Sequence, residues 1–408
     1  MLSDTLSCYH LIKNKNVLVT SKHFFYTFIS VFTTKTMHRT FTLIFYVAVS
    51  LLYASEPITI KGIIKDKETD EAIPFAHVIV GDIINVSNVD GEFIISAYDI
   101  KDDARVEISY MGYNDYSESI KKFENYHTIY LEPSLTQLGE VTVLTGTSIM
   151  DKVFSRFHLN YEVERQHMIG YYQESMSDWE ETYYIAEGIM DIYTPSNMDK
   201  YEYPLVRPLR TRKKVFHQID AIEDVLGGNA SDMAHSSIWR EESFLSPKNR
   251  ENYDYFYSGA TTMGIHDVLI VDFEPSNKKG NTKGTLYVEE DSHAILKIEY
   301  DPIITDFSFW ESVSWTEEYK QQDGVFKLVS VSFSGTSTNH EFNYDALLVI
   351  NESRTINQFP EDLEMLSMYD AFLEQAETDF SDSFWTGFNF MKLDTQVAQL
   401  LGANTHGY

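Results

Sequence analysis

The sequence predicts a mainly β protein: a β-sandwich of seven or so short strands near the N-terminus, then a larger, curved antiparallel sheet with a few helices. Three observations carry this. Between Ile58 and Thr145 short alternating segments are broken by Gly62, Pro74, Gly81, Gly91 and Gly112. From there to about Asn357 the strand-like segments lengthen, with few crossovers between them. Helical spacing is confined to 148–161 and to the stretch after Pro360.

Composition bounds the rest. With 408 residues, 43% hydrophobic and 14% aromatic, the chain can bury one or two cores, and two domains are expected, a single domain holding roughly 100–200 residues. A formal net charge of -30 argues against nucleic acid or an anionic membrane surface as main partner, because neutralising phosphates takes clustered Lys and Arg.

From Met37 the stretch MHRTFTLIFYVAVSLLYASEP has a basic start (His38, Arg39), an apolar run from Phe41 to Tyr53 and a small-residue exit at Ala54 and Ser55. That is the anatomy of a secretory signal, too short for comfortable spanning, which takes roughly 20 residues. Residues 1–54 are therefore expected to be an N-terminal extension and signal peptide, with translation starting at Met37 and export to the periplasm or the outer-membrane surface. Cys8, the only cysteine, lies in that part, so the exported chain has no disulfide, thiol nucleophile or thiolate metal site.

The first block, 55–145, contains ITIKGIIKD, AHVIVGD, INVSNVDGEFIISA, RVEISYMGY and HTIYLEP. Val106, Ile108 and Tyr110 alternate, as do Phe93 and Ile95. The ordered blocks GIIKDKETDEAIPFAHVIV, NVDGEFII, ISYMGYNDY and IYLEPSLTQLGEVTVLTG resemble the carboxypeptidase regulatory-like domain of Bacteroidetes envelope proteins, a module that also precedes the plug of many TonB-dependent receptors. The resemblance implies a transthyretin-like or immunoglobulin-like sandwich in which NVDGEF is a hairpin turn leading into a core strand. The segment between Gly81 and Asn88 is short for that family.

The acidic stretch NVSNVDGEF raises the question of a metal loop. Asp90 and Gly91 form the dipeptide a tight hairpin wants, Gly taking φ > 0 and Asp bonding its own backbone. A calcium loop needs oxygen ligands at alternate positions, and Val86 and Val89 stand where carboxylates would be required. A zinc peptidase needs a His followed by Glu at the third position, and none of the 13 histidines has one. HEFNY at 340 lacks the second His of a zincin helix, and neither a G-x-S-x-G elbow nor a G-x-x-x-x-G-K loop is present. The expectation is a chain without catalytic residues, cofactor or metal.

In the second block, 146–357, Ser148 and Asp151 suggest a capping box, and Ile149, Val153, Phe154 and Phe157 share a helical face, so SIMDKVFSRFHLNY is expected to be a helix lying on a sheet. MIGYYQESM, TYYIAEGIMDIY, DVLIVDFEP, GTLYVEE, AILKIEYD, SVSWTEEYK and VFKLVSVSFSGTS have strand composition. The runs HLNYEVERQHMIGYYQESM, YYIAEGIMDIY and FWTGFNFMKLDTQVAQLL resemble the C-terminal region of uncharacterised Bacteroidetes proteins that carry the same module. VLIVDFEPSNKKGNTKGTLYVEEDSHAILKIEYD resembles the strands of periplasmic lipoprotein-carrier-like half-barrels, which implies a concave sheet for an acyl chain or other apolar ligand.

Two local clusters stand out. VRPLRTRKK holds Arg207, Arg210, Arg212, Lys213 and Lys214, either a grip for a phosphate, lipid headgroup or acidic glycan, or a solvated strand face paired with nearby carboxylates. EEDSH, Glu289 to His293, joins two strands and is expected to be a surface turn. Residues 358–408 form a helical tail, with short helices in PEDLEMLSMYDAFLEQ and DTQVAQLL packing over the sheet. Too little chain remains for a receptor barrel, whose strands each take roughly 9–11 residues. The expected function is a non-catalytic envelope binding or scaffold protein with an envelope protein, glycan or lipid as partner. The alternatives are an apolar-ligand carrier, marked by a continuous buried cavity, and a hydrolase, marked by converging His and carboxylate groups; the sequence leaves the oligomeric state open.

Overall fold

The computed structural model describes residues 58–97, 100–101, 103–123, 126–134, 145–178, 180–196, 203–217, 230–304, 309–338, 342–360, 372–376 and 399. The signal segment 1–54 with Cys8, the start of HEFNY, and DTQVAQLL apart from Gln399 lie outside the described residues. The chain divides into two units, one of Met1–Ile58 and Ala97–Ile100, the other of Thr59–Ser96 and Lys101–Tyr408, and the second carries the body of all three sheets.

Alternation in the first block builds the expected seven short strands: β1 Ile58–Asp66, β2 His77–Val80, β3 Ile83–Val86, β4 Glu92–Ala97, β5 Arg105–Ser109, β6 Tyr116–Ser119 and β7 His127–Leu131. They form two sheets, β4-β1-β7 and β3-β2-β5-β6, with β1 and β7 parallel. Ile60, Ile64, Val78, Phe93, Ile95, Val106 and Ile108 are buried.

The stretch NVSNVDGEF turns a corner, though not as a hairpin. β3 and β4 belong to different sheets, so the turn carries the chain from one layer to the other. The side chain that organises it is Asn88, whose Oδ1 accepts the N–H groups of Asp90 and Glu92 at 3.0 and 2.8 Å. Gly91 has φ +75°, and a Cβ there would lie 2.6 Å from the Ile64 carbonyl oxygen. Gly91→Val is therefore expected to destabilise the protein by about 2 kcal/mol, from left-handed strain and the clash together, while added calcium or chelator leaves the melting temperature unchanged. Thermal denaturation of both proteins checks this, and a calcium-dependent shift would overturn it.

The second sheet has ten strands: β8 Gln166–Ser177, β9 Thr182–Thr194, β10 Leu205–Val215, β11 Tyr253–Met263, β12 His266–Pro275, β13 Thr282–Glu289, β14 Ile295–Pro302, β15 Trp310–Gln322, β16 Val325–Ser337 and β17 Asn343–Thr355. Their order is β10-β9-β8-β17-β16-β15-β14-β13-β12-β11, with antiparallel neighbours throughout. Two meanders thus meet where β17 pairs with β8.

Period-two alternation gives this sheet two unlike faces. One, the helix face, carries Phe273, Leu286, Ile298, Tyr300, Val331, Leu348 and Tyr172. Over it lie α1 (Gly146–Asn160), α2 (Ala230–Ala234), the turn-rich segment 235–252 and α3 (Phe372–Gln375). The other, the docked face, receives the sandwich: Val86 and Ile94 pack on Tyr171, Ile189, Leu347 and Val349. Asn351 donates to the Ile84 carbonyl at 2.9 Å, and the Gly112 N–H donates to Thr262 at 2.8 Å.

The N-cap of α1 lies three residues before the expected Ser148. Thr145 is the N-cap, its hydroxyl accepting from the Ser148 N–H at 3.2 Å while the Ser148 hydroxyl accepts from the Thr145 N–H. The start is set by packing: a Cβ on Gly146 would lie 2.4 Å from the Tyr255 carbonyl, so glycine lets the helix meet the β11 backbone. Ile149, Met150, Val153 and Phe157 form its buried stripe.

Candidate functional site

The basic stretch is β10, an edge strand of the large sheet, and the sheet lattice decides what its charges meet. Arg207 stands opposite Asp191, Arg210 opposite Ile189, Arg212 opposite Glu187 and Lys214 opposite Ile185. A bulge between Pro208 and Arg210 resets the alternation, so Arg207 and Arg210 share the docked face although three residues apart. Lys213 falls on the helix face, where its Nζ donates to the Leu373 carbonyl at 2.6 Å. Four of the five basic residues thus share the docked face, and Lys213 alone lies on the other.

Two of the arginines are committed to internal carboxylates. Arg212 donates through Nε and Nη2 to Glu187 at 3.0 and 2.9 Å, the side chains being 2% and 0% exposed. The Tyr171 hydroxyl takes the other Glu187 oxygen at 2.5 Å. Arg207 pairs with Asp191, which also accepts from the Tyr193 hydroxyl at 3.1 Å and bonds His167 Nε2. Burial pushes the Asp191 carboxyl up, but the hydrogen bonds and charges of His167 and Arg207 outweigh it and hold the group below its ordinary range. Lys214 is exposed.

His167 shows what this cluster can do chemically. Its Nδ1 lies 2.9 Å from Arg354 Nε, and its Nε2 bonds Asp191. Both ring nitrogens are engaged by side chains of the chain itself. The carboxylates and cations here compensate one another. On an edge strand, Pro208, the bulge and the row of cations also oppose strand addition by another chain.

The EEDSH tip is a closed turn. Glu289 Oε2 accepts the Ser292 N–H at 2.6 Å, the His293 N–H bonds the Glu289 carbonyl at 2.9 Å, and Arg156 of α1 donates to the carbonyls of Asp291 and Ser292. Among the described residues no group of three His, Cys, Asp or Glu is placed to hold a metal ion.

Besides Glu187 and Asp191, the buried Glu317 and Glu174 and the half-buried Glu318 escaped the sequence reading. On the helix face Glu317 accepts from the Ser237 N–H at 3.0 Å, the Ser237 hydroxyl, Tyr300 and Tyr319, tying the 235–252 segment to the sheet. Glu174 accepts from Tyr172 and Tyr344 at 2.7 and 2.8 Å; burial pushes its carboxyl up, and these phenols and the Leu373 N–H oppose that. At the junction with the sandwich His77, 2% exposed, stands 3.0 Å from Glu318. Burial would raise Glu318, but the charge and hydrogen bond of His77, with Lys297 and Ser330, draw it down to about 2. A signal existed: in period two, Glu174 and Glu317 fall among apolar and aromatic residues on one face.

No curated protein sequence matches the chain. Among solved structures it is similar to a DUF1329 family protein from Desulfovibrio piger, at 12% identity and TM-score 0.32, covering 53% of this chain and 95% of that one. A putative outer membrane lipoprotein-sorting protein domain from Vibrio parahaemolyticus gives 11% identity and TM-score 0.32 over 53% and 95% of the two chains. A LolA superfamily protein from Nitrosomonas europaea gives 10% and 0.25 over 54% and 96%. TM-scores this low do not establish a shared fold. The sequence itself is more specific: residues 60–143, whose described part builds the seven-stranded sandwich, match the family model of the CarboxypepD_reg-like domain.

Proposed function

We propose that the chain is a non-catalytic binding or scaffold protein of the bacterial cell envelope, in which the CarboxypepD_reg-like sandwich and the ten-stranded sheet act as one platform. The observation that carries this is the occupation of both sheet faces by the chain's own side chains. On the helix face, α1, the 235–252 segment and α3 pack into the apolar surface. On the other face the sandwich docks through apolar contacts and the His77–Glu318 pair. A cleft of about 330 Å3 is lined by Thr285, Glu299, Asp301, Ser314, Trp315 and Thr316, among others, a polar wall unlike the apolar one an acyl chain needs. Arg207, Arg210 and Arg212 face away from the apolar side, where they could not orient the headgroup of a ligand buried there.

Native mass spectrometry and lipid extraction of protein purified from the envelope test the reading. The expected result is the bare polypeptide mass with no lipid. One lipid per chain would instead select the alternative, a carrier of an apolar or acyl-chain ligand.

A further inference from the structure

α3 occupies a socket on the helix face over β8, β9 and β10. The Phe372 ring fills the space above Gly188, where a Cβ would come within 2.9 Å of it, and meets Tyr172 edge-on at 4.9 Å and 85°. Ala186, the next residue of β9 on that face, keeps the floor low. The main chain of Leu373 is recognised at both ends, its N–H by the Glu174 carboxylate and its carbonyl by Lys213 Nζ at 2.6 Å. Phe372, Leu373 and Ala376 are each 5% exposed.

Within the described residues α3 is one turn, seated by the Phe372 ring over Gly188 and by the Leu373 carbonyl on Lys213. The strands beneath it are held by their own ladders, β8 to β9 and β9 to β10, independently of the guest. A glycine-floored hole for an aromatic ring, flanked by one acceptor and one donor for a peptide unit, is the equipment of a peptide-binding site. We propose that the socket of Tyr172, Glu174, Gly188 and Lys213 is a docking site for a short Phe-Leu peptide segment, filled in this chain by its own residues 372–376 as a detachable latch. The proposal is independent of whether the protein also carries a lipid.

The test begins with hydrogen–deuterium exchange on the full chain. Amides of 372–376 should exchange at least a hundredfold faster than those of β8 and β9, reporting local opening. Exchange of both at one common rate would overturn the latch. In the second arm a labelled synthetic peptide of residues 368–380 is titrated into full-length Phe372→Ala protein, with circular dichroism confirming its fold. Saturable binding is expected at least tenfold tighter than to the wild type, whose socket is filled, and it should be lost when Gly188→Val is added. Absence of binding to folded Phe372→Ala protein up to ~1 mM peptide, or binding indifferent to Gly188→Val, overturns the site. If Phe372→Ala does not fold, the exchange rates of the wild type decide.

Discussion

Arg212→Ala is expected to lower stability by about 3–5 kcal/mol, much of the margin of an ordinary domain. The cost comes from what is left behind: Glu187 is wholly buried, and without the guanidinium only the Tyr171 hydroxyl remains among the partners described for it above. Replacing both partners by Arg212→Met and Glu187→Gln should recover at least half of the loss, since the amide still accepts from Tyr171 and no unpaired charge stays inside. Lys214→Ala, on the same strand but exposed, should stay within about 0.5 kcal/mol of the wild type. Urea denaturation of the four proteins measures all of this. An Arg212→Ala cost below about 1 kcal/mol would show that the pair is open to solvent, and would return the arginine to candidacy as a ligand contact.

The second large effect is a pH dependence seated at the junction of sandwich and sheet. Glu318 drops from an ordinary 4.5 to about 2 in the folded protein, burial being outweighed by His77 and its neighbours. A carboxyl depressed on folding stabilises the protein fully above its unfolded value and loses that contribution as the pH falls through the folded one. Between pH 4.5 and 2 the wild type should therefore lose about 3 kcal/mol that a Glu318→Gln variant never had. The quantity to follow is the difference between the two urea midpoints at each pH, because other carboxyls titrate in both proteins. Parallel curves would mean that His77 and Glu318 do not meet as an ion pair.

How far the sequence could be read depended on how much of each strand faces water. β14 alternates cleanly and was legible residue by residue. β17 was not singled out, because ALLVI is buried on both sides, the sandwich lying on one and the apolar cluster on the other, which erases the alternation. β11 failed for another reason: Gly259 and the register shift beside it break its pattern midway. The helix was placed correctly by its apolar stripe, but its first turn was not, since the Gly146 contact with Tyr255 joins residues far apart in the chain. In the candidate site residue types were visible and partners were not. Whether Arg212 meets solvent or Glu187 depends on the pairing of β10 with β9 and on the bulge after Pro208, neither of which local composition encodes.

The pairing of β17 with β8 also dictates the order of events when the chain first folds. Gln166 and Thr355 lie side by side in the sheet yet 189 positions apart in the chain. Until β17 has been synthesised and delivered, β8 offers a bare row of amides and carbonyls, and β16 offers another. Contacts of such long separation are slow to form, and the waiting edges invite pairing with other molecules. A chain cut short before Asn343 would keep both meanders and lose the strand that joins them, so its expected fate is aggregation, not a smaller version of the same protein.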